Sequence, residues 1–372
     1  MNVVSVLEGV LGLMVLASIL LDIFQTVVMP RRAAMLGRRL RLSPYMTARL
    51  WRPWCWVGLH FTPDRREAFL GSFAALSIIL LLVGWVAGLV LGYGLVLDAL
   101  RDQIKPPPEN LGASMYFAGT SLLTLGFGDY VATSGWARLM TLAAAATGLG
   151  LFAAVLTLLF TLYGSFLRRE VAVLVLEAGA GSPPSGVTLL ETYALAGILD
   201  DLPRVFETWQ AWSAEVLESH LAYPVLAYFR SSHDNASWIS SLGAVMDAAT
   251  LVLTTIEDGP KGWAKLSRAV GGHCLEDLVQ TFRLRDEPEV GLEREEFDAA
   301  CRRLEWAGFR LRDADEAWEH FTRLRMEYAG RVNALARNWA SPPAQWIGDR
   351  SPLRYDRAHI KPPARPLVGA PD

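Results

Sequence analysis

Thr124-Leu125-Gly126-Phe127-Gly128-Asp129 sets a threonine, two glycines, an aromatic ring and a carboxylate side by side. The chemistry this run offers belongs to backbone oxygens, not to a nucleophile or an acid–base pair. Glycine reaches unusual backbone angles at little steric cost. Glycines that alternate with larger residues therefore let successive carbonyls turn toward one axis. Carbonyls arranged this way can replace the hydration shell of a cation. The Thr124 hydroxyl adds an innermost oxygen, and Phe127 can pack outward and brace the loop. A glycine-rich run alone is an ordinary turn signal. Here it lies between two long apolar segments, Phe69–Leu97 and Ala137–Phe166.

Those segments must position the run. A hydrocarbon core takes about 20 apolar residues per helix, and three stretches meet that length: Val3–Met29, Phe69–Leu97 and Ala137–Phe166. The first is not read as a signal peptide, because it has no basic leader, is too long and lacks a cleavage site. Residues 113–123 form a short pore helix, 124–129 the filter and mouth, and 137–166 the inner helix that lines the pore. The expected fold is therefore an all-α membrane protein. It has three transmembrane helices, a re-entrant pore helix with a filter loop, and a cytoplasmic helical domain.

The filter run, the flanking spans and the aromatic pair Tyr116 and Phe117 together resemble the pore signature of potassium channels, commonly TVGYGD. Phe127 in place of tyrosine is similar to filters of the two-pore-domain type and of many bacterial channels. The resemblance covers Leu111–Phe166 and the preceding span. It implies that Thr124, Leu125, Gly126, Phe127 and Gly128 hold the ion, that Asp129 guards the mouth, and that Tyr116 and Phe117 support the filter from the pore helix. Leu125 departs from the usual valine or isoleucine and Leu123 from the usual threonine; neither change removes a carbonyl. The implied permeant ion is K+, with no other cofactor. A ring of carbonyls needs four loops, and this chain has one TLGFGD run, so the expected assembly is a homotetramer of cyclic symmetry. Two rivals stand beside this reading: a membrane-anchored sensor or scaffold with a non-conducting pore, and a weakly selective cation channel.

Charge sets the orientation. Nine arginines lie between residues 30 and 68, whereas the pore-bearing loop carries Arg101, Lys105 and Arg138. The positive-inside bias puts residues 30–68 and everything after 166 in the cytoplasm, with the N-terminus outside, in a multi-pass cell-membrane protein. Within 30–68, prolines interrupt the segment Gly37–Phe61, and Trp51, Trp54 and Trp56 stand among arginines. Such a segment suits the inner membrane interface. Its irregular arginine spacing excludes a voltage sensor. Asp22 inside the first span reads as half of an ion pair with an arginine of the following loop, or as an ion-sensing group. Gly148 and Gly150 in the inner helix read either as a gating hinge or as close-packing residues.

The chain has 372 residues, 52% of them hydrophobic, with a net charge of -3 and a mean hydropathy of +0.25. No strongly basic soluble domain suggests nucleic-acid binding, and no P-loop, nucleophile elbow or HExxH run suggests an enzyme. Cys55, Cys274 and Cys301 are too scattered for a disulfide framework, and His220, His233, Asp234, His273 and Cys274 fit no metal cage. Residues 167–340 show helical periodicity with Trp-rich core stripes, with helix ends expected at Gly259-Pro260 and Gly271-Gly272. Val171–Gly181 has the look of a strand before a glycine-rich turn, but lacks the third glycine of a dinucleotide fold. Ala236–Ile256 reads as a buried helix and not a fourth span, because Asp247 sits at its middle. Residues 341–372, rich in proline and arginine, read as a disordered tail.

Overall fold

A computed structural model describes residues 3–27, 42–231, 237–285 and 292–346. The arginine cluster at 31–41, His233, Asp234 and the tail from 347 onward lie outside the described residues. The chain divides into two compact units: Met1–Trp54 with Ser72–Gly164, and Cys55–Gly71 with Ser165–Asp372. Among the described residues, three helices are long and apolar enough to cross a membrane.

The first unit is built on α1 (Val3–Val27), most of α3 (Pro63–Ala99), α4 (Leu111–Leu122) and the first two-thirds of α5 (Gly135–Ala180). Glycines set how closely its helices approach. A Cβ on Gly12 would fall 2.8 Å from the Gly92 carbonyl oxygen, while one on Gly88 or Gly92 would meet Ile19 or Leu16 at 2.8 Å. Gly88 and Gly92 thus form a small-xxx-small face that lets α1 lie against α3. The contact is closed by Trp85, whose Nε1 donates to the buried carboxylate of Asp22 at 2.7 Å. The aspartate in the first span therefore has a tryptophan of α3 as one partner; the arginines expected to pair with it at 31–41 lie outside the described residues. Trp51 and Trp54 of α2 (Leu42–Gly58) pack on Phe73 of α3, with ring centroids 5.0 and 5.9 Å apart. The segment read as an interrupted linker is thus helical from Leu42 to Gly58, with Pro53 inside it.

Two helix bounds differ from expectation for identifiable reasons. α3 starts at Pro63, not Phe69, because proline is favoured in the first helical turn. α5 continues past Phe166 to Ala180. The pair Arg168-Arg169 marks where apolar character ends, but nothing there stops a helix. The helix stops at Gly181, whose φ is +80°, a conformation that glycine adopts freely. Val171–Ala180 is accordingly helix and not strand.

The second unit is helical, with α6 (Gly186–Leu195), α7 (Leu202–Ala222), α8 (Trp238–Thr254), α9 (Lys261–Phe282), α10 (Arg294–Trp306), α11 (Ala314–Met326) and α12 (Ala329–Asn338). Its centre is α8, whose 17 residues are almost all buried, as expected for a core helix too short to span. Asp247 of α8 is buried and accepts from the Tyr328 hydroxyl at 2.6 Å and Arg325 Nε at 3.2 Å. Gly259-Pro260 falls between α8 and α9, as expected. Gly271-Gly272 does not end a helix but lies inside α9. A Cβ on Gly271 would come 2.6 Å from Met246 Sδ, so glycine there lets α9 press against α8.

The buried guanidinium of Arg169 ties the end of α5 into this unit. It donates to the carbonyls of Leu226 at 3.0 Å and Phe229 at 2.7 Å and to Glu170 at 3.0 Å. It also lies 5.4 Å over the rings of Phe166 and Trp238. One residue after Phe229, Arg230 forks onto both Glu67 oxygens at 2.7 and 2.8 Å. It donates further to the carbonyls of Trp339 and Ala340 at 2.7 and 2.9 Å.

Candidate functional site

α4, the segment expected to be the pore helix, begins where Asn110 caps it, its side chain accepting from Ala113 N at 3.0 Å. This cap starts the helix two residues before the expected 113. Ser114, in the first turn of α4, donates to the buried carboxylate of Asp98 at 2.8 Å. Asp98 also receives Arg101, which stands 3.8 Å from Glu8 of α1. Halfway along, Gly94 of α3 lets Met115 approach; a Cβ on Gly94 would sit 2.6 Å from Met115 Cγ. At the far end, Leu122 abuts Gly148 of α5, where a Cβ would lie 1.7 Å from the Leu122 carbonyl oxygen. One residue before Gly148, Thr147 shares a 2.7 Å hydrogen bond with Tyr93 of α3. The helix that carries the filter is therefore fixed along its length by α3 and α5.

From its end runs Thr124–Gly128. Thr124, Gly126 and Gly128 have φ of +58°, +56° and +82°, while Leu125 and Phe127 do not have positive φ. The backbone changes hand at each residue. Alternation of this kind lets successive carbonyls face the same way, as a filter of carbonyl rings requires. Thr124 is β-branched, for which a positive φ is a genuine outlier, and such strain persists only where the surroundings impose it. Here Thr124 N is bound to Ser121 O at 3.0 Å, and Leu125 N and Gly126 N both donate to Thr120 O at 2.8 and 3.3 Å. The amide groups are thereby engaged behind the loop. Among the described residues, no hydrogen bond is accepted by the carbonyls of Thr124–Gly128. The segment offers a row of backbone oxygens with no internal use.

After the loop, β2 (Val131–Ala132) pairs with β1 (Ile104–Lys105), and Thr133 N donates to Gln103 O at 2.8 Å. The rings of Tyr116 and Phe117 stand 6.2 and 6.0 Å from Tyr130. The structure thus gathers Tyr116 and Phe117 against the residue that follows Asp129. Leu125 and Phe127 are 55% and 66% exposed in a single chain, a large apolar exposure for residues on a constrained loop. Of the two inner-helix glycines, Gly148 has a packing reason, whereas a Cβ on Gly150 would meet nothing within 4 Å.

Sequence reasoning did not find Asp98, Tyr93 or the glycine face of α3. The Gly88–Gly92 spacing was a readable signal for the last; the other two depend on which side chains of different helices meet. Among the described residues, no group of three or more histidine, cysteine or acidic side chains is arranged to hold a metal. His220 is enclosed beside Arg169; burial first, then that guanidinium, pushes its imidazole down to about 3. Burial pushes the Cys274 thiol up to about 12. Neither group has the character of a metal ligand.

Comparison with known proteins fits this geometry. The chain is 23% identical to an uncharacterized membrane protein, YdjJ of Bacillus subtilis (strain 168), over 203 residues, 53% of this chain and 58% of that protein. The match thus spans little more than half the length of that relative. No solved structure matches the chain. The family described as "Ion channel" matches residues 75–164, which run from α3 through α4 and Thr124–Gly128 into α5, so over that segment the chain is similar to ion channels.

Proposed function

We propose that the protein is a passive, potassium-selective channel, with an ion pathway ringed by Thr124–Gly128 from four copies of the chain. The observation that carries this reading is the alternation of φ along Thr124–Gly128, with carbonyls that accept no internal hydrogen bond. A dehydrated monovalent cation needs several oxygens at once, and one loop supplies one side of a ring. The exposed Leu125 and Phe127 side chains suit a loop that neighbouring copies cover. Asp129, next to the filter run, supplies negative potential at the outer mouth. The second unit lies in the cytoplasm and the N-terminus outside, as the arginine distribution argues. The pathway conducts K+ without chemical turnover.

The test is the reversal potential of purified protein in a planar bilayer with unequal K+ and Na+. Reversal near the potassium equilibrium potential, lost in Gly126→Ala with assembly intact, is the expected result. Reversal midway between the two ions would make this a weakly selective cation channel. Absence of current in the wild type under every voltage would favour a sensor with a closed pore.

A further inference from the structure

α1 lies outside the segment 75–164 that is similar to ion channels, so that likeness does not say what the helix is for. Its contacts do. Glycines bring its first turns against the end of α3. A Cβ on Gly9 would lie 3.5 Å from Ala99 Cβ, and one on Gly12 2.8 Å from Val96 Cγ2. This approach sets Glu8 beside the turn that follows α3, with its Oε2 3.8 Å from Arg101 Nη2. That Glu8 oxygen is enclosed and has no hydrogen-bond partner among the described residues. Arg101 is the cation it meets.

Arg101 is also bound on its other side. Its Nη2 donates to the buried carboxylate of Asp98, and its Nε donates to the Asp98 carbonyl at 3.1 Å. The same carboxylate accepts from Ser114, in the first turn of α4, at 2.8 Å. Two residues beyond Arg101, the Gln103 carbonyl accepts from Thr133 N and from the Thr133 hydroxyl, both at 2.8 Å. The Gln103 side chain accepts from the Ser134 hydroxyl. Residues 98–103 therefore hold the chain on both sides of Thr124–Gly128, through Ser114 before it and through Thr133 and Ser134 after it. Selection among ions depends on the size of a filter and the field of its carbonyls. Both follow from where the two ends of the loop are held.

We propose that Glu8 is a positioning residue for ion selection. α1 delivers a second carboxylate to Arg101, and this fixes the turn that anchors both ends of the loop. The inference rests on the reading of Thr124–Gly128 as the ion pathway. Glu8 touches no ion and acts through Arg101. Its contact is longer than a hydrogen bond and Arg101 is part-exposed, so solvent screens the attraction. Glu8 therefore biases the turn and contributes little to the stability of the fold.

The test measures reversal potentials of the full-length protein in mixed K+ and Na+. Glu8→Gln keeps the shape and removes the charge. It should assemble and melt like the wild type, yet raise Na+ permeability relative to K+ by about threefold, the scale of a part-exposed ion pair. Adding Glu8→Gln to Arg101→Gln should change the ratio no further, because the partner is already gone. Val10→Ala, at an exposed position of α1, should leave the ratio unchanged. A K+-selective protein in which Glu8→Gln has no effect on the ratio overturns the role of Glu8 and leaves the filter reading standing. An equal shift with and without Arg101 overturns it too, since Arg101 then does not carry the effect. A wild type that passes no selective current overturns both readings.

Discussion

A Cβ on Gly148 would stand 1.7 Å from the carbonyl oxygen of Leu122, so the inner helix touches the last turn of the pore helix through bare backbone. The obstructing atom belongs to the main chain and cannot swing away as a side-chain tip can. Any residue larger than glycine must push the pore helix, and with it Thr124–Gly128. Overpacking typically costs 1–3 kcal/mol, and a backbone obstacle belongs at or above the top of that range, about 3 kcal/mol. Gly148→Ala should therefore lose assembled, selective protein. Gly150→Ala, which meets nothing within 4 Å, should assemble normally. Size-exclusion profiles and bilayer currents of the two variants check this. If Gly150→Ala assembles but seldom opens, bending at 150 belongs to gating.

Asp98 is the other fixed point of the pore helix. Its buried carboxylate accepts from Ser114 and holds Arg101. Asp98→Asn keeps the shape but removes the charge that Arg101 faces. Losing one partner of a buried pair is strongly unfavourable; with Arg101 40% exposed, solvent screening reduces the expected loss to about 2 kcal/mol. Because the helix it holds leads directly into the filter, the variant should also pass more Na+ relative to K+. Thermal unfolding and reversal potentials measure the two effects separately. A destabilised variant with unchanged selectivity would make Asp98 a packing residue only.

The long apolar helices and the helical character of the second unit were legible in the sequence because each depends on local pattern. Apolar length marks a span, and Trp-rich periodicity marks a core. What escaped depends on which faces meet. Nothing near Phe166 signals that α5 continues, since a change from apolar to charged residues marks a membrane edge and not a helix end. Gly271-Gly272 has the composition of a terminus, yet Met246 needs the space there. Asp22 was legible as a costly ionisable group within a span, but its contact with Trp85, 63 positions away, was not.

His220 predicts how the second unit responds to acid. Its Nδ1 hydrogen bonds to the Val216 carbonyl at 2.8 Å, so Nδ1 donates and Nε2 is left to accept from Arg169 at 3.3 Å. The imidazole is therefore neutral, and burial holds its pKa near about 3 against an ordinary 6.5. Between those values the unfolded chain binds a proton that the folded chain does not. Stability thus rises with pH through this window and falls as pH drops below 6.5. At pH 4.5 the loss from this one group is about 2–3 kcal/mol. His220→Asn should lower stability at pH 7 but flatten the slope between pH 6.5 and 4.5. Denaturation of the full-length protein in detergent, followed by circular dichroism across that range, checks both.

Arg230 ties Glu67, at the start of α3, to the carbonyls of Trp339 and Ala340 at the end of α12. The side chain is nearly buried, at 12% exposure, whereas Glu67 is 39% exposed. Solvent therefore weakens the ionic part, and the fork geometry carries more of the effect than charge does. Lysine keeps the charge but cannot donate in parallel to both carboxylate oxygens while reaching two carbonyls. Arg230→Lys should accordingly destabilise by about 2 kcal/mol, nearly as much as Arg230→Ala, because either leaves part-buried carbonyls unpaired. Glu67→Gln should cost about 1 kcal/mol or less. The double-mutant cycle between the two positions should return a coupling near 1 kcal/mol. If Arg230→Lys is instead silent while Glu67→Gln is costly, the contact is a simple ion pair and the carbonyls contribute little.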